Sequence, residues 1–123
     1  MSGDVIRMTI PAMLAYVRLP RVAIAGLATR AGFSYDEVED LRLAMGEVCQ
    51  VLLDGADRTG TLTISFEVER GQMDVDVVAE GPAGRDDGTG ERIAAQILEA
   101  TVGKVSVADE GRRISFSKTA VDD

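Results

Sequence analysis

Leu41 to Leu53, LRLAMGEVCQVLL, holds a single charged residue between Arg42 and Asp54, Glu47, in an otherwise apolar run with helical spacing. A carboxylate set in an apolar face loses solvation, so it must find a partner, take a proton, or keep its charge for a task. The helix around it is legible from its ends. Ser34 followed by Glu37 is a capping-box pattern, Asp36 adds favourable charge in the first turn, and Gly55 is the expected stop. Val38, Leu41, Met45, Val48 and Leu52 form the core stripe from Ser34 to about Leu53. Glu47 is about 100° round from Val48, on the face shared with Leu43, Ala44 and Val51, at the border of the packed surface.

Working outward, Val5 to Ile10 alternates as a strand closed by Pro11. Ala12 to Arg30 is helical in pattern, with Leu14, Val17, Val22, Leu27 and the alanines on one side; Pro20 fits only a first turn, so the regular helix is expected from about Leu19 to Gly32. After the second helix, TLTISFEV places Leu62, Ile64, Phe66 and Val68 inward, ERGQ turns, and Met73, Val75 and Val77 alternate on the return strand. EGPAGRDDGTGE is a glycine-rich loop, Glu91 to Val102 returns to helical spacing with Gly103 as terminator, and KVSVADEGRRISFSK closes as a hairpin turning at Asp109 to Gly111. Helices grouped apart from a mostly antiparallel sheet predict a two-layer α+β sandwich, with residues 1–123 as one domain and the VDD tail frayed.

Composition narrows the chemistry. The chain has no histidine and one cysteine, which removes histidine phosphotransfer, Ser-His-Asp and Cys-His catalysis, an internal disulfide and any Cys-clustered metal site. No metal site is expected, and Cys49 suits a small buried hydrophobe. With no long apolar run and no signal-peptide layout at MSGDVIRM, the expectation is a cytoplasmic protein without a membrane span. A net charge of -8 argues against direct nucleic-acid binding and for a basic protein surface as partner. Arg18, Arg21 and Arg30 are cationic positions on this acidic molecule, readable as helix solvation or as contacts.

The element order, with the residues of DEVEDLRLAMGEVCQVLL, resembles the GHKL (Bergerat-fold) ATPase superfamily, and within it the anti-sigma-factor serine kinases of the RsbW and sporulation type; the resemblance spans nearly the whole chain. It implies the histidine-kinase-like ATPase fold, with Glu47 as general base toward a serine of an anti-anti-sigma protein. The family's Asn four residues on, a ligand of the Mg2+ of ATP, is Val51, and the Asp that reads adenine is Ala79. Glu80 is next to it but points to the other side of an extended chain. Gly81 is kept, Ala83 stands at the second loop glycine, and Gly88 and Gly90 match the Gly-x-Gly that holds phosphates after a much shortened lid. The Gly-Thr opening the last strand reads Gly111-Arg112. Missing together, these parts point to an abandoned nucleotide pocket. The resemblance therefore implies an anti-sigma factor acting in transcription regulation of the stress-response kind, a pseudokinase that sequesters a sigma factor and is released through partner switching with an anti-anti-sigma (STAS-domain) protein. Arg21 stands at the family's partner-contacting arginine, and the family pairs as homodimers. No cofactor is expected under this reading. The alternative is an active ATP-dependent serine/threonine kinase with ATP and Mg2+ as cofactors and Glu47 as its base. Outside catalysis, Glu47 pairs with a local arginine or faces water.

Overall fold

The computed structural model describes residues 3–54, 57, 59–82, 102, 104–109 and 112–121. Strand β1, Asp4–Pro11, leads through a 3-10 turn, Leu14–Tyr16, into helices α1, Arg18–Arg30, and α2, Tyr35–Asp54. Strands β2, Thr61–Glu69, and β3, Gln72–Glu80, follow, and β4, Lys104–Ala108, and β5, Arg113–Thr119, close the chain. The five strands form one sheet in the order β1-β2-β3-β5-β4, every neighbouring pair antiparallel. The two helices pack on one face, giving the two-layer α+β sandwich expected from the sequence.

Each helix starts and stops for a local reason. At the head of α2 the capping box is formed: the Ser34 N–H donates to Glu37 Oε1 at 2.8 Å, and the Glu37 N–H donates to Ser34 Oγ at 3.2 Å. Gly32, at φ +90°, ends α1 with the paired Schellman bonds, Phe33 N–H to the Ala28 carbonyl and Gly32 N–H to the Thr29 carbonyl. Pro20 sits in the first turn of α1, where its missing N–H leaves no gap. The Gly55 stop, the Gly103 terminator, the segment 91–101 of the third expected helix and residues 122 and 123 of the tail lie outside the described residues; Val102 is helical and buried.

The inner faces match the alternation. Leu62, Ile64, Phe66, Met73 and Val77 are fully buried, Val75 nearly so, and they face Leu41, Met45, Val48 and Leu52 of α2. The stripe expected for α1 needs correction. Leu14 and Val22 are 66% and 64% exposed, and the residues that meet the core are Val17, Pro20, Ile24 and Ala28. The 3-10 turn explains this, since three residues per turn place Leu14 out of phase with the α-helical stripe, and Val22 falls about 160° from Ile24.

Both ends of the sandwich are stitched by main chain. The Gly71 N–H of the β2–β3 turn donates to the Ala31 carbonyl, the Ala120 N–H donates to the Gly71 carbonyl, and the Val121 N–H reaches Glu37 Oε2 at 2.9 Å. Glu37 therefore caps a helix and holds the end of β5. The backbone hydrogen bond from Ser34 is the largest cause lowering its pKa; burial opposes it, and the Val121 hydrogen bond adds a smaller lowering. A carboxyl depressed on folding stabilises the protein above its unfolded pKa, and that contribution disappears as pH falls through the folded value. Ser34→Ala is expected to lower unfolding free energy by about 1 kcal/mol in urea titration. Glu37→Ala is expected to destabilise at neutral pH, with its gap to the parent shrinking as the pH is taken below the usual glutamate range.

Candidate functional site

Of the positions in the nucleotide site that the resemblance implies, the fold places Glu47, Val51 and Ala79 along the seam between α2 and the sheet. Glu47 is half-buried in mid α2, with exposed Leu43 a turn before it and buried Val51 a turn after it. Among the described residues Glu47 has no hydrogen bond or ion pair, so the local arginine partner expected as one reading is not formed. Val51 is 7% exposed and Ala79 6% exposed, both in the continuous apolar core. Glu80 is exposed on the opposite face of the sheet, where it accepts a hydrogen bond from Thr63 Oγ1 at 3.1 Å. The alternation had excluded it as a substitute reader at position 79.

Gly81 ends β3 in a conformation reserved for glycine, φ +111°. A Cβ there would meet the Cα of Gly60 at 2.8 Å, and a Cβ on Gly60 would meet the Glu80 carbonyl oxygen at 2.3 Å. Two backbones thus lie in direct contact, and neither position admits a side chain. The loop is held further by the Asp57 N–H donating to the Pro82 carbonyl at 3.1 Å and the Ala12 N–H donating to the Gly60 carbonyl at 2.9 Å. Gly88, Gly90 and Ala83 lie outside the described residues.

Arg112 was noted in the sequence only for the hydroxyl it lacks. In the structure its carbonyl accepts from the Ala79 N–H at 2.8 Å, so the two residues stand opposite each other. Its guanidinium Nη2 donates to the Gly81 carbonyl at 2.6 Å, and its Nε is buried without a partner among the described residues. The signal was available: Arg112 shares parity with inward Ile114 and Phe116. Hydrocarbon stands at the positions that the resemblance gives to the metal ligand and the adenine reader, and a protein cation stands beside the second. Among the described residues no group of three His, Cys, Asp or Glu side chains is placed to hold a metal ion.

Arg21 lies elsewhere. It crosses from α1 to α2, where a methyl added at Gly46 would sit 3.7 Å from its Cδ and Nε. Glu47 is one residue further, about 100° round the helix, so the structure does not bring Arg21 and Glu47 together as a pair. The Arg21 charge also acts on Cys49, whose thiol burial pushes up to about 12 against that opposing effect. Such a thiol is protonated at neutral pH and inert. Around exposed Arg21 the outer surface of the helices shows Leu19, Val22 and Leu43, each half exposed or more. Single apolar side chains on a surface are ordinary; several beside an arginine suit a protein contact.

The open face of the sheet is polar. Arg7 Nε donates to Ser65 Oγ at 3.2 Å, while Arg113 Nε and Ser115 Oγ converge on Asp76 Oδ1 at 2.9 and 2.7 Å. These residues line a shallow concavity of about 600 Å³. No helix among the described residues is long and apolar enough to cross a membrane.

Comparison with known proteins agrees with this architecture. The chain is 37% identical over 83 residues to the serine-protein kinase RsbW of Bacillus subtilis (strain 168), covering 65% of this chain and 52% of that protein. It is 35% identical over 79 residues to the serine-protein kinase RsbW of Halalkalibacterium halodurans, covering 63% and 49%. The chain thus spans about half the length of the curated relatives it matches. A crystal structure of the RsbU and RsbW domains of Rv1364c from Mycobacterium tuberculosis superposes with a TM-score of 0.67 at 13% identity, over 96% of this chain and 32% of that one, a likeness of fold. No protein-family model matches the chain.

Two substitutions test the backbone geometry. Gly81→Ala is expected to cost about 1–3 kcal/mol, since it needs both a left-handed φ and space that Gly60 occupies. Gly46→Ala meets only ordinary contact with Arg21 and is expected to gain up to about 1 kcal/mol from helix propensity. Thermal melts of the two variants read both signs.

Proposed function

We propose that this chain, related in sequence to the RsbW serine-protein kinases, is a cytoplasmic anti-sigma-factor-like protein. It sequesters a sigma factor through its helix surface and releases it by partner switching with a STAS-type anti-anti-sigma protein, without competent ATP binding. One observation carries this reading over catalysis: positions 51 and 79, which must offer oxygen to a nucleotide and its metal, are buried hydrocarbon between α2 and the sheet. Losing one buried hydrogen-bonding partner costs about 1–3 kcal/mol, or roughly one to two decades of affinity, and several losses compound. Capture by surface contact needs none of those groups. It needs an accessible cation beside apolar side chains, and Arg21 with Leu19 and Val22 offers one on a molecule whose net charge of -8 favours basic partners. Pairing of two copies through the polar open face of the sheet and the first helix belongs to the same proposal.

A kinase reading is favoured by one observation besides the relatives' names. Glu47 is half-buried at the helix edge and has no partner among the described residues, which suits a base. Two substitutions separate the readings. Arg21→Ala is expected to weaken sigma-factor capture in a pull-down by on the order of 2–5 kcal/mol if the contact is fully buried, and by less at a rim. Glu47→Gln keeps size and removes charge, and is expected to leave capture intact. A radiolabelled phosphate-transfer assay on an anti-anti-sigma serine, run beside it, is expected to show no transfer by the parent protein. Phosphorylation by the parent that is lost in Glu47→Gln, with capture untouched by Arg21→Ala, would establish the kinase instead.

A further inference from the structure

We infer that Arg112 is a built-in latch that fills and shuts, from within the chain, the end of the cleft where a nucleotide base would otherwise lie. This rests on the reading above that the chain does not use ATP, and it assigns the exclusion to a residue that is present, where the earlier argument relied on groups that are missing. Three observations carry it. Arg112 stands opposite Ala79 in the ladder, on the helix side of the sheet, so the long side chain rises over the small one. Its Nη2 is fixed at 2.6 Å on the carbonyl of Gly81, the left-handed residue that follows β3 two positions after Ala79. Its Nε is buried with no partner among the described residues. Desolvating an N–H of a guanidinium is unfavourable, so the side chain is held inside by the Gly81 bond and by packing, not drawn there by solvation.

The residue it grips is itself anchored. Pro82 accepts from Asp57, and Gly60 lies against Gly81, so the latch joins the start of β5 to the end of β3 and, through it, to the loop after α2. The exchange is one of size and charge within a single facing pair. A small neutral residue on β3 and a long cation before β5 replace a carboxylate and a hydroxyl. Restoring the carboxylate alone would not reopen the site, because an Asp at position 79 would face the guanidinium and be captured by it.

Three variants test this: Ala79→Asp, Arg112→Thr and the pair together. Adenosine and ATP are titrated in magnesium-free buffer, so that Val51 does not enter, and amide NMR shifts report even millimolar binding. Neither the parent nor Ala79→Asp is expected to bind, and the double variant is expected to bind at least tenfold more tightly than Ala79→Asp. Equal binding by Ala79→Asp and the double variant, or no gain in a double variant that melts cooperatively, overturns the latch. Binding by the parent itself overturns the reading beneath it, so the two failures are distinct. Should the double variant not fold, hydrogen exchange of Arg112→Thr decides. The Asp57 amide, bonded to Pro82, is expected to exchange about ten- to a hundredfold faster while strand amides at Val75 and Val77 stay protected. Unchanged protection at Asp57 overturns the proposal.

Discussion

The molecule depends on a dry seam between α2 and the sheet. Leu41, Met45, Val48 and Cys49 on one side and Leu62, Ile64, Phe66, Met73 and Val77 on the other are fully buried, and no polar or charged residue among those described is buried with them. A helix that lies this flat on a sheet must carry every polar group on its outer surface or at its borders, because an unpaired one in the seam would cost more than a hydrogen bond recovers. That rule places Glu47 at the border. It also gives the seam hydrocarbon at positions 51 and 79, where a nucleotide site would need a wet notch cut into the core.

The two ends of the seam are closed by different means. At one end a single carboxylate, Glu37, serves the first turn of α2 and the backbone after β5, so local helix capping and the long-range closure of the sheet share one group. At the other end the closure is steric. Gly60 and Gly81 meet without side chains, and backbone bonds from Ala12 and Asp57 fix the loops around them. Both ends hold a carboxylate whose pKa is lowered by a backbone hydrogen bond, Glu37 by Ser34 at the first and Asp57 by Thr59 at the second.

Much of the fold was legible because its signals are local and redundant. The capping box at Ser34, the period-two alternation of β2 and β3, and the glycine after α1 each specify geometry over a few residues, and all agree. The α1 stripe failed at Leu14 and Val22 because a 3-10 turn shifts phase without any sequence mark, so that Val17, Pro20, Ile24 and Ala28 face the core in their place. At the site, Glu47 stood out as the lone charge in an apolar run and Val51 and Ala79 through the family resemblance, and their burial agrees with the helical and strand periodicity. Arg112 was seen as a missing hydroxyl and not as a guanidinium with a destination, although the parity of β5 already pointed it inward. Its partner is a carbonyl thirty-one residues away, on a glycine whose direction depends on a contact with Gly60 that no local pattern encodes.

A pocket of this kind can be given up at little cost to the fold. Replacing both members of a buried polar pair with apolar groups of suitable shape is nearly neutral or stabilising, whereas removing one member alone leaves a desolvated group behind. Val51 and Ala79 are not such a pair, since the resemblance gives one to the metal and the other to adenine, but each lies in the apolar seam and brings no polar side chain into it. Arg112 is different, since it brings a charge to the edge of the core, its Nε buried without a partner among the described residues. On the proposed latch reading, the guanidinium fills this end of the site as well as removing its hydroxyl. Its bond to the Gly81 carbonyl ties the residue before β5 to the glycine contact that joins β3 to the loop following α2.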